Sequence, residues 1–421
     1  MRLLGAHVGG DLICTAGTFH NPEGNALSAD RIEVEGGVFF NQGFSAEGSV
    51  RLPGARIGGC FECDGGQFRC PEARALDADS FDVGGSVFLR KGFSAEGAVW
   101  LVGATVGSNF DCGGGTFRNA AGMALTADNI KVGGSVFLRK GFSAEGEVWL
   151  VNAQIGSNLD CIDGSFKNPS GRALSADGVD IKGGVLLRQG FTAEGEVRMR
   201  GAHIRQGLDC QGGKIKGFRG MALNAERIQV EGSILLRNGF FAEGEVCFLG
   251  ALINDNLECD GAVFTNPGAK ALNAEGIRVG RSVFLRARFS AAGEVRLLGA
   301  KIVESLECDD GTFRNPGGEA LLADRVNIGG SLFLRNGFSA EGEVRLLGAQ
   351  AGSNFDCTRG AFKNASGKAI FADNANVRGH VLFARGFSSE GDVVLFGTQI
   401  GGGMNCFEGT FSALACLIHQ G

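Results

Sequence analysis

The sequence predicts an all-β fold, a right-handed parallel β-helix (solenoid) with about two coils per 49-residue repeat. Three observations carry this prediction. One 49-residue period runs through the chain without insertion or deletion. Apolar residues alternate at the strand period, with no helical stripe competing. The 72 Gly and only 6 Pro supply many tight turns and no Pro-rich linker.

The period is read from several columns. Gly-Phe recurs with Phe44, Phe93, Phe142, Phe191, Phe240, Phe338 and Phe387, and Phe289 keeps register after Arg288. Nine cysteines follow the same step: Cys14, Cys63, Cys112, Cys161, Cys210, Cys259, Cys308, Cys357 and Cys406. A second aromatic column runs from Phe19 through Phe68, Phe117 and Phe166 to Phe411, with Ile215 in its one missing place. Loops normally tolerate insertions. Their lockstep here implies that every residue stacks on a neighbouring copy.

Each unit splits into two similar halves. One holds Val148-Trp149-Leu150, Ala153, Ile155, Leu159, Cys161 and Phe166, and the other Ala173-Leu174, Val179, Ile181, Val185, Leu187 and Phe191. A half of about 23 to 26 residues is too short for a propeller blade or a helix–strand repeat. It suits one coil of a β-helix. The expected organisation is a single solenoid domain over residues 1–421, about eight and a half repeats, with a piece of a longer, capped protein as the alternative. The tail Leu414-Ala415-Cys416-Leu417-Ile418 is a candidate cover for one end. Phe occurs 33 times and Tyr never, which points to aromatics used for packing.

The net charge of −6 is weak for this length, and no Lys/Arg run offers a phosphate-binding stripe. Nucleic acid is therefore not an expected partner. No stretch approaches a membrane-spanning apolar run, so no integral membrane segment is expected. The start, Met1-Arg2-Leu3-Leu4-Gly5-Ala6, does not read as a signal peptide. A cytoplasmic location follows as the default, and a peripheral membrane location stays compatible with it.

The unit between Ala124 and Ala153 reads AL-x-AD-x-x-x-V-GG-S-V-FLR-x-GF-SAEG-EV-x-L-x-x-A. It resembles a bacterial family of β-solenoid repeat proteins, distant relatives of pentapeptide-repeat proteins. Members often carry the label membrane-associated oxidoreductase. The resemblance implies the fold over essentially the whole chain. The label would imply a redox cofactor, but the residues show no GxGxxG opening a helix, no CxxCH and no iron–sulfur spacing. No cofactor, metal site or catalytic residue is expected.

The cysteine ladder could be a metal or redox wire, or simply core. Successive members lie two coils, about 10 Å, apart. A disulfide needs a Cα separation of roughly 4.4–6.8 Å. Cys63, Cys112 and Cys161 are therefore assigned to a structural core ladder with Phe93, Phe142 and Phe191. The lone Cys60-Phe61-Glu62-Cys63 sits on a strand pattern, where no helix N-terminus depresses a thiol pKa.

Carboxylates form three columns. Asp79, Asp128 and Asp177 belong to one, Glu96 and Glu145 to a second, Asp111, Asp160 and Asp209 to a third. They could serve acid–base chemistry on an elongated polymer. The bland reading makes Asp79, Asp128 and Asp177 a turn ladder in which each Asp closes its own turn. It pairs the other columns with Arg90, Arg139 and Arg188.

Departures from repetition are the informative positions. One outward column reads Arg51, Trp100, Trp149, Arg198, Cys247, Arg296, Arg345, Val394, and it holds the only 2 tryptophans. Trp100 and Trp149, with Arg51 and Arg198, make a candidate interaction patch. The expected function is a non-catalytic scaffold that binds a protein partner or further copies of itself, end to end or face to face. The rivals are a polymer-acting enzyme with a carboxylate groove, the oxidoreductase of the family label, and an acidic DNA mimic.

Overall fold

The structure, a computed structural model, describes residues 1–412. The tail at 414–418 lies outside the described residues. Every regular element described is a strand, and within each compact unit the strands stack in three parallel sheets, here sheets 1, 2 and 3 in the order the chain enters them. The chain divides into two compact units, residues 1–209 with 213–218, and residues 210–212 with 219 onward. Each unit is a β-solenoid of the same coils.

One repeat shows how the sequence makes two coils. Arg56–Ile57 enters sheet 1, Phe61–Glu62 sheet 2 and Gln67–Asp77 sheet 3. The next turn contributes Asp82–Val83, Val87–Phe88 and Ser94–Trp100 to the same sheets. Arg56 pairs with Asp82, and Asp82 with Thr105, so a 26-residue coil is followed by a 23-residue coil. In most two-residue strands one side chain points out and one in, as with exposed Arg56 and buried Ile57.

The longer coil spends its extra residues on a bulge in sheet 3. Thr116–Thr126 pairs with Ser143–Trp149, and the register jumps between Arg118 and Met123. The Asn119 side-chain amide closes the bulge by donating to the Met123 carbonyl at 2.9 Å. Asn168 does the same to Arg172 at 2.7 Å, and in the second unit Asn315 to Glu319 at 2.9 Å. Opposite the bulges stands a glycine, in most copies that of Ala-Glu-Gly. Gly146 has φ +117°, and a Cβ there would lie 2.3 Å from the Asn119 carbonyl oxygen.

The core is aromatic. Within each unit the two Phe columns of the sequence form one stack, because rings from alternate coils interleave. Phe68, Phe93, Phe117, Phe142 and Phe166 follow one another at centroid distances of 5.1–5.3 Å. Phe93, Phe142, Phe191, Cys63, Cys112 and Cys161 are all fully buried. The second unit repeats the stack from Phe240 to Phe387. Its packing is looser at one point. Ala351 and Ala375 stand where other copies carry Ile, Val or Phe, and a cavity of about 20 Å³ opens beside Ile328, Leu346 and Phe355.

A side-chain ladder runs along the corner between sheets 1 and 2. Ser86 Oγ accepts from the Asn109 backbone N–H at 3.2 Å, and Asn109 Oδ1 from Ser135 at 2.9 Å. Ser135 Oγ then takes Asn158 at 3.2 Å, and Asn158 Oδ1 takes Gly184 at 2.8 Å. These bonds satisfy amides that the corner would otherwise strand. Cys60 occupies a rung, with the Ser86 N–H 3.5 Å from its Sγ.

Candidate functional site

Arg51, Trp100, Trp149 and Arg198 are the last residues of the seven-residue strands of sheet 3 in the first unit. Strand alternation turns Val50, Val99, Val148 and Val197 into the core and these four outward. A residue of the longer coil separates each from the next. Trp100 pairs in register with Asp77 and Thr126, and Trp149 with Thr126 and Ser175. The two tryptophans thus sit two coils apart, about 10 Å, and each is half-buried.

The arginines of this column clamp carboxylates. Arg51 reaches Asp30 at 3.4 Å and Asp77 at 3.5 Å, and Arg198 pairs with Asp177. The turn ladder bonds differently from a self-closing turn. Asp79 Oδ1 accepts from the Val102 N–H at 3.2 Å, Asp128 from Val151 at 3.0 Å, and Asp177 from Arg200 at 2.8 Å. Each carboxylate therefore ties its corner to the following coil. The following coil presents its N–H directly above, which a residue's own tight turn does not.

Replacing Arg by Trp at 100 and 149 removes the clamp from Asp79 and Asp128. At Trp100 a substitute is present. The Arg74 guanidinium lies 3.7 Å over the indole ring and reaches Asp79 at 2.9 Å and Asp77 at 3.1 Å. One repeat later Met123 stands in place of Arg74, and Thr126 in place of Asp77. The Thr126 hydroxyl lies 3.3 Å from the Met123 sulfur. Among the described residues, the Asp128 carboxylate keeps only the Val151 N–H. Burial pushes its carboxyl above the usual range, and that hydrogen bond offsets part of the shift. The Trp149 Nε1–H is buried and meets no acceptor among the described residues.

Elsewhere the charges compensate one another. On sheet 2, Arg90, Arg139 and Arg188 pair with Asp111, Asp160 and Asp209 at 3.2, 2.5 and 2.8 Å. The guanidinium of Arg90 covers the Phe88 ring at 3.9 Å, and that of Arg139 covers Phe137 at 4.0 Å. These two rings face outward and are half-exposed. The abundance of Phe without Tyr points to packing roles, whereas these rings carry guanidinium groups on the outer face. The missed signal is the strand alternation in Val-Phe-Leu-Arg, which leaves Phe on the same face as Arg. On sheet 3, Arg69 meets Glu96 at 3.1 Å.

The core thiols of Cys63 and Cys112 are pushed well above their ordinary pKa by burial, with nearby carboxylates adding to the rise. Thiolate chemistry is correspondingly suppressed. Among the described residues, no group of three or more His, Cys, Asp or Glu is placed to hold a metal ion. No described helix is long and apolar enough to cross a membrane. No family model, curated protein or solved structure matches the chain.

Proposed function

We propose that this protein is a non-catalytic interaction scaffold, a member of the bacterial β-solenoid repeat family it resembles. It binds a protein partner, or further copies of itself, through the outward column of sheet 3 around Trp100 and Trp149. One observation carries the reading: the carboxylate columns are engaged coil by coil in ion pairs and backbone hydrogen bonds, and the repetition breaks at the two tryptophans. Large aromatics flanked by Arg51 and Arg198 are what interface anchors are commonly made of. Core thiols that sit too far apart to join suit a reducing compartment such as the cytoplasm.

The test is site-specific photo-crosslinking. A photoreactive phenylalanine analogue at position 149 should give adducts with another protein or a second copy. The same group at Thr105 on sheet 1 should give few. Trp100→Ser, with the photoreactive group kept at position 149, should leave melting nearly unchanged and reduce those adducts. Equal adducts from both positions would overturn the patch.

A further inference from the structure

We propose that the strip over Trp149 and Asp128 receives an arginine side chain from the partner protein. The inference rests on reading Trp100 and Trp149 as an interaction patch and names the chemistry that patch recognises. The first unit contains the occupied version of the site. In one repeat the Arg74 guanidinium lies 3.7 Å over Trp100 and bonds Asp79 at 2.9 Å. In the next repeat Trp149 and Asp128 hold the equivalent positions, and Met123 replaces the arginine.

Two costs to stability fall together there. The Asp128 carboxylate has lost the clamp that Asp30, Asp177, Glu275 and Asp324 all receive from their column arginine. The Trp149 indole N–H is buried without an acceptor among the described residues. Unpaid costs of this kind concentrate where function overrides packing. A planar cation answers the first of these costs, pairing with the carboxylate while it stacks on the indole face; it carries no acceptor for the indole N–H. Glu147, on the same outward face as Trp149, is already engaged by Ser175 Oγ at 2.9 Å and by Arg172 at 3.9 Å, which leaves Asp128 as the carboxylate for the incoming cation. Met123 is half-buried and unbranched, so it can yield to an incoming side chain. Lysine offers a point charge and no plane, and fits less well.

The test uses the full chain and acetyl-arginine amide as probe, read from the Trp149 indole N–H resonance assigned with Trp149→Phe. The arginine compound should shift that resonance saturably, and its neutral citrulline analogue should not. The lysine compound should bind about fivefold more weakly, which is ~1 kcal/mol. Asp128→Asn should weaken the arginine response, again by about fivefold. Met123→Arg supplies the guanidinium within the chain, so it should abolish the response while raising the melting temperature. No saturable shift, an equal shift with citrulline, or a response that survives Met123→Arg would each overturn the inference. If the probe fails while position 149 still crosslinks a partner, the scaffold stands and this inference falls. If both fail, the patch falls as well.

Discussion

The first unit places Trp100 and Trp149 where the second unit places Arg296 and Arg345. In the second unit Arg296 holds Glu275 at 3.2 Å and Glu294 at 2.7 Å, and Arg345 holds Asp324 at 3.0 Å. In the first unit the equivalent carboxylates depend on Arg74 or stand unclamped. The interiors beneath are nearly the same stack of phenylalanines. The difference teaches that the solenoid fixes its inward rows and leaves its outward rows free to vary. Specific recognition therefore belongs to the outward rows, and the two units should respond alike to core damage and unlike to surface exchange.

The largest effect should be common to both units. Phe142→Ala in the first and Phe338→Ala in the second each remove a fully buried ring from the stack. Each should cost about 3–5 kcal/mol in denaturant unfolding. A markedly smaller loss in one unit would show that its stack is not the main support. Next come the bulge glycines. A Cβ at Gly146 or Gly342 would meet a bulge carbonyl oxygen at 2.3 or 2.5 Å, with φ of +117° or +122°. Alanine at either should cost about 1–3 kcal/mol.

A smaller effect of opposite sign should separate the units. Ala351 is the second-unit counterpart of Ile155 and borders the cavity of about 20 Å³. Ala351→Ile should stabilise by ~1 kcal/mol if the cavity accepts the added methyl groups. Ile155→Ala should destabilise by about 2–5 kcal/mol. Comparing melting temperatures of the two variants checks both statements. Destabilisation by Ala351→Ile would show that the cavity walls are rigid and the site already full.

Much of this was legible in the sequence. The columns of Phe, Cys and Gly placed strands, core and turns, and Trp100 and Trp149 stood out as departures. What was not legible depends on register between the two halves of a repeat. Phe68 to Phe93 is 25 residues and Phe93 to Phe117 is 24, so the single stack read as two columns. The corner ladder alternates Ser and Asn from coils of different length, and no single column displays it. The unclamped Asp128 was invisible for the same reason. Its loss is defined only once Arg198 is seen to reach back 21 residues to Asp177, and Trp149 to occupy that place above Asp128.

The smallest effect concerns acid pairing in the second unit. Arg172 stands opposite Glu196 in the first unit, whereas Glu319 stands opposite Glu343 in the second. Burial raises the Glu343 carboxyl above its ordinary 4.5; Arg345 lowers it and Glu319 raises it further. A raised carboxyl prefers its protonated form when folded. Its penalty is full above the folded pKa and relieved as pH falls through that value toward the unfolded one. The second unit should therefore gain stability slightly on mild acidification. Glu319→Lys restores the base that Lys270 and Lys368 provide in neighbouring repeats. It exchanges the 3.8 Å contact of Glu319 with Arg345 for a cation opposite Glu343, so its net effect on neutral-pH stability should stay within about 0.5 kcal/mol, the scale of a half-exposed ion pair. It should also flatten the pH dependence of melting between neutrality and pH ~5, the upper edge of ordinary carboxylate titration. An unchanged slope in Glu319→Lys would assign the acid response to another carboxylate, and Asp128, the unclamped one of the first unit, is the next to replace by Asn.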